Sequence, residues 1–217
     1  MEEKKDFLPE MTKEIIGNVA KEVNRYVQEV TITKVEGECP FGHKEGEKHL
    51  INSTHHSTIC GALWQANHAC ISSFHYGGAI TWEKDPTIFK GLCPEGGKVE
   101  MQVHTRERQK NERATRFSEW RDMTGKGYTG IDKYRLFLEV FGMEHHCMYG
   151  HKAGQRIEID PFNMGEVCGF LYWNAYHLIT LLFSGGNPPW EPDPNIAHGV
   201  CPDIYNMVSY RLIREER

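Results

Sequence analysis

A short alternation of apolar and polar residues opens each half of the chain, at 30–35 and again at 134–140. Aliphatic and β-branched residues recur in both stretches, and this pattern predicts a half-buried strand. A second alternation follows at 155–160, with a weaker counterpart around Leu50 and Ile51. Each half is therefore predicted to start with two strands that are joined by a glycine-containing turn.

The apolar spacing then changes from the period of a strand to that of a helix. Helices are predicted from about 59 to 76 and from about 167 to 184, and a Gly-Gly pair ends each of them. Final strands are predicted near 98–104 and 206–213. Each unit is thus predicted to be β-β-α-β, an arrangement of the α+β class.

An additional helix is predicted before the first strand, at 10–27, because Ile15, Val19 and Val23 follow helical spacing. This segment has no counterpart in the second half. The predicted organisation has four parts, which are an N-terminal helix at 1–28, a first repeat unit at 29–104, a charged, glycine-rich connector at 105–132 and a second repeat unit at 133–217.

The two halves are copies of one unit. Residues 39–94 align without a gap to residues 147–202, and 20 of these 56 positions are identical. Chance identity is about 6 %, or roughly 3 positions, for chains of average composition. We therefore predict two tandem units related by internal pseudo-symmetry, and residues kept in both copies become the candidates for structure or chemistry.

Composition excludes some partners. The net charge is −5 and the pI is about 6.2, whereas nucleic-acid-binding surfaces are strongly basic. The most apolar run, at 167–183, contains Asn174 and His177 and is too short and polar to cross a bilayer. The first residues include no apolar segment of the kind found in export signals. We expect a cytoplasmic protein with reduced thiols and with neither a nucleic-acid nor a membrane partner.

Each unit keeps three cysteines and one histidine at matched positions. Three thiolates and one imidazole make a complete tetrahedral set for zinc, or a plausible set for an iron–sulfur cluster. Cys70 aligns with Leu178 and is interpreted as a core residue. The matched sets are Cys39, His43, Cys60 and Cys93 in the first unit, and Cys147, His151, Cys168 and Cys201 in the second. Their wide spacing means that only the fold can assemble such a site.

Two other interpretations fit the same cysteines. Free cysteines are often plain core residues, which would make the set structural. Alternatively, Cys60 and Cys168 are catalytic thiols, since they lie near predicted helix N-termini, where the helix dipole lowers a thiol pKa. His43 or His151 would then be the base.

A Trp-Glu-x-Asp-Pro loop is also kept, at 82–86 and 190–194. In a structural interpretation the tryptophan fills the core and Asp-Pro forms a turn. In a functional interpretation the loop lines a pocket, in which Glu83 and Glu191 are acid–base groups. Because the first predicted helix is the more polar one, such a pocket is expected mainly in the first repeat.

The combination of these motifs resembles a family of small uncharacterised prokaryotic proteins that are frequent in anaerobes. The shared features are the Cys-x-x-Gly-His turn, the helix cysteine, the Gly-Gly pair, Asp-Pro and the closing Cys-Pro. The resemblance covers about 30–104 and 136–214, whereas the family usually carries one such unit. It implies a prokaryotic, anaerobic and cytoplasmic setting. The chain departs from the family in its duplication, its leading helix, and Met148 in place of the proline at position 40.

Three functional hypotheses follow. The first is a cytoplasmic metal- or iron–sulfur-binding protein with a Cys₃His set in each repeat, which serves redox chemistry and meets a redox partner protein. The second is a Cys/His-dependent enzyme that acts on a small-molecule substrate. The third is a structural or partner-binding module whose cysteines are simply buried.

Overall fold

The structure, a computed structural model, describes residues 25–110, 112, 133–203 and 205–217. Most of the helix predicted at 10–27 and most of the connector at 105–132 lie outside these ranges. Where the predicted helix overlaps the described residues it is wrong, because Tyr26 begins a strand and pairs with Glu107. Cross-strand pairing, and not the spacing of nearby valines, decides the conformation there.

The first unit contains four strands and one helix. Its elements are β1 (Tyr26–Val35), β2 (Lys48–Ile51), α1 (Gly61–His75), β3 (Ile88–Leu92) and β4 (Val99–Glu107). The strands form one sheet in the order β2-β1-β4-β3, and all neighbours are antiparallel.

The second unit repeats this arrangement. Its elements are β5 (Tyr134–Gly142), β6 (Arg156–Ile159), α2 (Gly169–Phe183), β7 (Ile196–Val200) and β8 (Ser209–Glu216). The sheet order is β6-β5-β8-β7, again antiparallel throughout. The described chain is therefore α+β with two similar units, which confirms the predicted class.

Each unit has one strand more than the sequence predicted. The β-β-α-β layout is corrected to β-β-α-β-β, because the sequence predicts no strand at β3 and β7. Both strands are five residues long, contain a glycine and lie at a sheet edge. Phe89 pairs with Val103, and Ala197 pairs with Leu212. These edge strands form because they pair with the neighbouring long strand, since their own residues have little preference for a strand.

The strand register extends the sequence repeat and locates one insertion. Both long central strands carry a bulge at equivalent positions, after Ile32 and after Val140. Ile32 pairs with Met101, whereas Val140 pairs with Tyr210. The offset between the copies therefore changes from 108 to 109 residues after the closing Cys-Pro, and the second unit has one extra residue in its last loop.

One face of each sheet packs on the helix of the same unit. In α1, Trp64, Ile71 and Phe74 are fully buried against Val30 and Ile32 of β1 and the other residues of this face. The equivalent residues of the second unit join the same continuous cluster. The two units therefore share one hydrophobic core. No helix in the described ranges has the length and apolarity needed to cross a membrane.

Reciprocal hydrogen bonds join each helix start to a loop of the opposite unit. The backbone N–H of Gly61 donates to the carbonyl of Phe162 at 2.6 Å, and the N–H of Gly169 donates to the carbonyl of Thr54 at 2.9 Å. The two donors, Gly61 and Gly169, occupy equivalent positions of the repeat, and so do the two acceptors, Thr54 and Phe162. The first N–H groups of a helix have no acceptor inside it, so each unit supplies one to the other.

Both helices start with glycine because the opposite unit comes very close. A Cβ on Gly61 would lie 2.3 Å from the Tyr172 hydroxyl oxygen and 2.8 Å from the carbonyl oxygen of Pro161. A Cβ on Gly169 would lie 2.6 Å from the carbonyl oxygen of Ser53. Only a residue without a Cβ allows this contact in either direction.

The first unit also contributes buried histidines to the interface. Both ring nitrogens of His56 face backbone carbonyls, of Ser57 at 3.1 Å and of Val167 at 3.3 Å. The ring of His68 stacks on Trp173 at 5.4 Å. Burial lowers the pKa of each histidine to about 4, so both are neutral at pH 7.

Alanine at either helix start should destabilise the whole molecule. We expect Gly61→Ala and Gly169→Ala each to lower the free energy of unfolding by about 1–3 kcal/mol, because the added methyl group overpacks the interface. Gly142→Ala is the control, since a Cβ there meets no atom within 4 Å. Denaturant unfolding measures the difference, and equal stability of all three variants would contradict the interface.

Acid should weaken this interface through the histidines. The folded-state pKa of His56 and His68 is about 4, below the unfolded value of about 6.5. Stability is therefore complete above about pH 6.5 and falls as the pH drops toward 4, by up to about 3 kcal/mol per histidine. His56→Met, which copies the residue at 164, should flatten the pH dependence of unfolding in this window. If the pH dependence of the unfolding free energy is unchanged, the pKa of His56 is the same in the folded and the unfolded state, which would contradict this prediction.

Candidate metal-binding site

Cys60 and Cys168 occupy the position immediately before each helix. They are the N-cap residues of α1 and α2. Burial raises the pKa of Cys60 to about 12, although the backbone N–H groups of Leu63 and Ala62 favour the thiolate. The pKa of Cys168 is raised to about 12 in the same way. Burial therefore outweighs the helix dipole, and the metal-free thiols are protonated at pH 7.

Two more cysteines of the first unit lie in the turns that follow strands of its sheet. Cys39 follows β1 in a turn closed by a hydrogen bond from the N–H of Gly42 to its carbonyl, at 2.8 Å. Cys93 follows β3, and its N–H donates to the carbonyl of Val99 at 2.8 Å. Negative charge on Cys93 or Cys39 raises the pKa of Cys60, and charge on Cys39 raises that of Cys93. All three thiols are therefore within electrostatic reach of one another.

The second unit repeats these turns around its own cysteines. The N–H of Gly150 donates to the carbonyl of Cys147 at 2.9 Å, and that of Cys201 donates to Val208 at 2.8 Å. Burial and the neighbouring thiolates raise the pKa of Cys168, and they raise that of Cys201 to about 11. In each unit, charge on the two cysteines of the turns therefore raises the pKa of the cysteine at the helix start.

The matched histidine of each unit forms a hydrogen bond with the backbone of the helix-start cysteine. The Nε2 atom of His43 accepts the backbone N–H of Cys60 at 3.2 Å, and its Nδ1 lies 2.9 Å from Oε2 of Glu47. In the second unit Nε2 of His151 accepts the N–H of Cys168 at 3.1 Å. Both rings are buried, with 4 % exposure. Each imidazole therefore accepts a hydrogen bond from the backbone of the cysteine at the helix start.

A glutamine in the second unit identifies the tautomer. Nδ1 of His151 lies 3.0 Å from Oε1 of Gln155, which replaces Glu47. Since Nε2 accepts a hydrogen bond, Nδ1 carries the proton and donates to this oxygen. The same geometry with a carboxylate or an amide shows that the contact needs an acceptor, not a charge. Both nitrogens of each histidine are therefore used within the fold.

His43 also belongs to a group that sequence analysis did not predict. Ligand atoms of His43, Glu47 and His49 all lie within 4.8 Å of one another, so this group could hold a metal ion. The second unit has Gln155 and Ile157 in place of Glu47 and His49. A metal here would need a lone pair on Nδ1 of His43, which instead points a proton at Glu47. The hydrogen bonds favour an orienting contact over a metal site.

The cysteines are not part of this compact group. Among the described residues, the ligand atoms that all lie within 4.8 Å of one another belong to His43, Glu47 and His49.

The arrangement predicted for a thiol enzyme is not assembled by these contacts. A reactive cysteine needs a lowered pKa and a base at its sulfur, whereas the pKa of Cys60 is raised and His43 faces its backbone. Glu191 accepts hydrogen bonds from the backbone and ring of His198, which lower its pKa. Glu83 is half-buried in the equivalent loop, where its N–H donates to Ile80 at 3.2 Å.

The tryptophans of these loops are not core residues. Trp82 is 77 % exposed and Trp190 is 66 % exposed, so the interpretation that they fill the core is wrong. The Asp-Pro turn is present, because Oδ1 of Asp85 accepts the N–H of Thr87 at 2.9 Å. The turn is short and lies on the surface, so the tryptophan before it does not reach the hydrophobic core.

An acidic residue near the last cysteine was missed. Glu95 and Asp203 follow the closing Cys-Pro in their units, and negative charge on each raises the pKa of Cys93 or Cys201. The two residues occupy aligned positions but are not identical, so a comparison that keeps only identical residues does not select them. A match by chemical class would have found this pair, as well as Glu47 and Gln155.

Comparison of the chain with protein-family models, with curated proteins and with solved structures gave no match. Functional inference therefore depends on the site itself and on the agreement between its two copies.

Replacing Glu47 and His43 separately should tell an orienting contact from a metal site. Glu47→Gln copies the second unit, and we expect it to leave both histidines in the Nδ1–H tautomer in ¹⁵N NMR spectra. His43→Phe should lower the free energy of unfolding by about 1–3 kcal/mol, since the buried N–H of Cys60 loses its acceptor. Thermal stabilisation by zinc ions that disappears in Glu47→Gln would instead identify His43, Glu47 and His49 as a metal site.

Proposed function

We propose that this protein binds one iron–sulfur cluster in each unit through three thiolates and serves redox chemistry. The observation that carries the proposal is that both units keep three cysteines at equivalent positions, where charge on two of them raises the pKa of the third. The proposal takes the three cysteines as ligands and leaves out His43 and His151, whose ring nitrogens have hydrogen-bond partners. Zinc, the other predicted metal, is the second choice.

Plain burial explains the cysteines less well. Only Cys60 and Cys168 are buried, with 6 % and 8 % exposure, whereas the other four matched cysteines are half-buried. A core residue with no other duty can be replaced by an apolar one, as Cys70 is by Leu178. The matched cysteines are retained although their neighbours differ, for example Trp64 and Tyr172 on the helices.

The backbone around each set favours bound thiolates. The N–H groups of Leu63 and Ala62 lower the pKa of Cys60, and those of Glu95 and Asp203 lower the pKa of Cys93 and Cys201. Hydrogen bonds to the sulfurs are one of the features that tune iron–sulfur clusters. These donors oppose the burial that raises the thiol pKa in the absence of metal.

The two sites form a related pair in this proposal. We take the units to be related by an approximate two-fold axis, since Gly61 and Gly169 donate to carbonyls at equivalent positions. Exposed apolar residues precede the last cysteine of each set, Leu92 at 55 % and Val200 at 44 %. Such residues suit a surface on which a redox partner protein docks.

A reducing cytoplasm fits the sites. All seven cysteines are free thiols, and disulfides are rare in that compartment. The resemblance to a one-unit family of anaerobes points to the same setting, in which an oxygen-sensitive cluster survives.

Iron analysis under anaerobic conditions tests the proposal. Reconstituted protein should carry about eight iron atoms per chain if each unit holds a four-iron cluster. Cys60→Ser and Cys168→Ser should each remove about half of this iron, because each breaks one set. Cys70→Ser is the matched control and should retain all of it.

Two other results would change the assignment. Zinc in place of iron, at one or two ions per chain, would make the sites structural. If the protein binds neither metal and the cysteine variants lower only its stability, the protein is a structural or partner-binding module whose thiols are simply buried.

A further inference from the structure

We infer that the first unit binds the guanidinium group of a small molecule at the C-terminal end of α1. At the equivalent place in the second unit, the fold binds the guanidinium group of its own Arg214. This site lies at the opposite end of the helix from Cys60 and does not depend on the proposed clusters.

Arg214 shows which groups of the fold accept a guanidinium group. It lies on β8, and its Nη1 atom donates to the carbonyl of Leu182 at 3.2 Å and to that of Gly186 at 2.7 Å. Its Nη2 atom donates to the carbonyl of Pro194 at 3.2 Å. The last carbonyl groups of a helix have no full set of donors within it and carry partial negative charge. The end of α2 is therefore a binding place for a cation.

An aromatic ring is the next part of this cation site. The guanidinium carbon of Arg214 and the Nζ atom of Lys133 each lie 4.9 Å from the centre of the Tyr134 ring. Tyr26 occupies the position of Tyr134 in the first unit, and among the described residues Arg25 is the cation on its ring, at 5.2 Å. Arg25 is the counterpart of Lys133, so the ring of Tyr26 lacks the second cation.

Thr105 stands in the first unit where the second unit has Arg214. The N–H of Thr105 donates to the carbonyl of Thr87 at 2.8 Å, and that of Arg214 donates to the carbonyl of Asn195 at 2.8 Å. The backbones of the two units therefore agree at this point. The short side chain of Thr105 cannot supply the donors that the arginine supplies.

The end of α1 keeps the geometry of the end of α2. A Cβ on Gly77 would lie 3.2 Å from the ring of Tyr26, and a Cβ on Gly185 would lie 3.3 Å from the ring of Tyr134. Residues 76–79 are exposed, so a small molecule can reach this end from solvent. The carbonyls of Phe74 and Gly78 occupy the positions of those of Leu182 and Gly186.

Two polar side chains are buried at this point without hydrogen-bond partners in the part of the chain that the structure describes. Gln28 is fully buried, with neither atom of its amide paired, and the hydroxyl of Thr105 is buried and unpaired as well. The two residues are cross-strand partners on the side of the sheet that packs on α1. In the second unit the same pair is Leu136 and Arg214. A buried amide without a partner is costly, and a guanidinium donor at Oε1 of Gln28 would reduce this cost.

These acceptors fit a guanidinium group better than an ammonium group. A guanidinium group is planar, carries several N–H donors in a fixed fork and stacks on aromatic rings. The acceptors are helix-end carbonyls, an amide oxygen and the face of a ring. A compact ammonium group would use fewer of them.

NMR titration of the full-length protein with methylguanidinium chloride, at constant ionic strength, tests the site. We expect saturable shifts of the side-chain amide of Gln28 and of the backbone amides of Gly77 and Gly78. Methylammonium chloride should bind about tenfold more weakly, because it makes fewer charge-assisted hydrogen bonds.

Three variants locate the binding. Thr105→Arg copies Arg214 and should abolish the binding of methylguanidinium, because its own guanidinium group occupies the site. His104→Arg is the matched control, since it adds the same charge at the neighbouring, exposed position of β4, and it should retain the binding. Gln28→Leu copies Leu136 and should weaken the binding by about tenfold, since one hydrogen bond to a charged group is lost.

Shifts that do not saturate, equal affinity for methylammonium, or binding that persists in Thr105→Arg would each overturn the inference. If the wild-type protein binds no methylguanidinium while Gln28→Leu stabilises it, Gln28 and Thr105 are an unsatisfied pair in the core and the inference is wrong. The wild-type titration decides the matter even if a variant does not fold. The iron content of the protein has no bearing on this outcome.

Discussion

The need of the first N–H groups of both helices for acceptors outside the helix constrains the rest of the molecule. A helix begins with N–H groups that have no acceptor within it, and here these groups are buried. The N–H of Cys60 is accepted by His43 and that of Gly61 by Phe162 of the other unit. The same two bonds recur at Cys168 and Gly169. One Cys-Gly dipeptide thereby fixes the site histidine, the cysteine and the interface between units.

This arrangement couples the site to the core. The cysteine is held where backbone N–H groups favour a thiolate, while the glycine after it lets the opposite unit approach within contact distance. Because each helix start is completed by the other unit, neither set of cysteines is independent of the second copy. The proposed clusters therefore belong to the pair of units more than to either unit alone.

Much of the architecture could be predicted from the sequence because its signals are local. Alternation located β1 and β5, and helical spacing with Gly-Gly ends located both helices within two residues. The edge strands β3 and β7 were not predicted, because a five-residue segment that contains a glycine shows no clear alternation. Only pairing with the neighbouring strand makes it a strand. Trp82 and Trp190 were placed in the core on residue type alone, although a short surface turn keeps them outside.

The sequence by itself determined the duplication, the α+β class and the six matched cysteines, since these depend on identity and periodicity along the chain. Only the tertiary structure decided what the matched histidines do, because a hydrogen bond from Cys60 to His43 joins residues 17 positions apart. It likewise decided that both helices begin against the opposite unit. Contacts between distant segments assign these roles, and no local pattern encodes which nitrogen meets which backbone group.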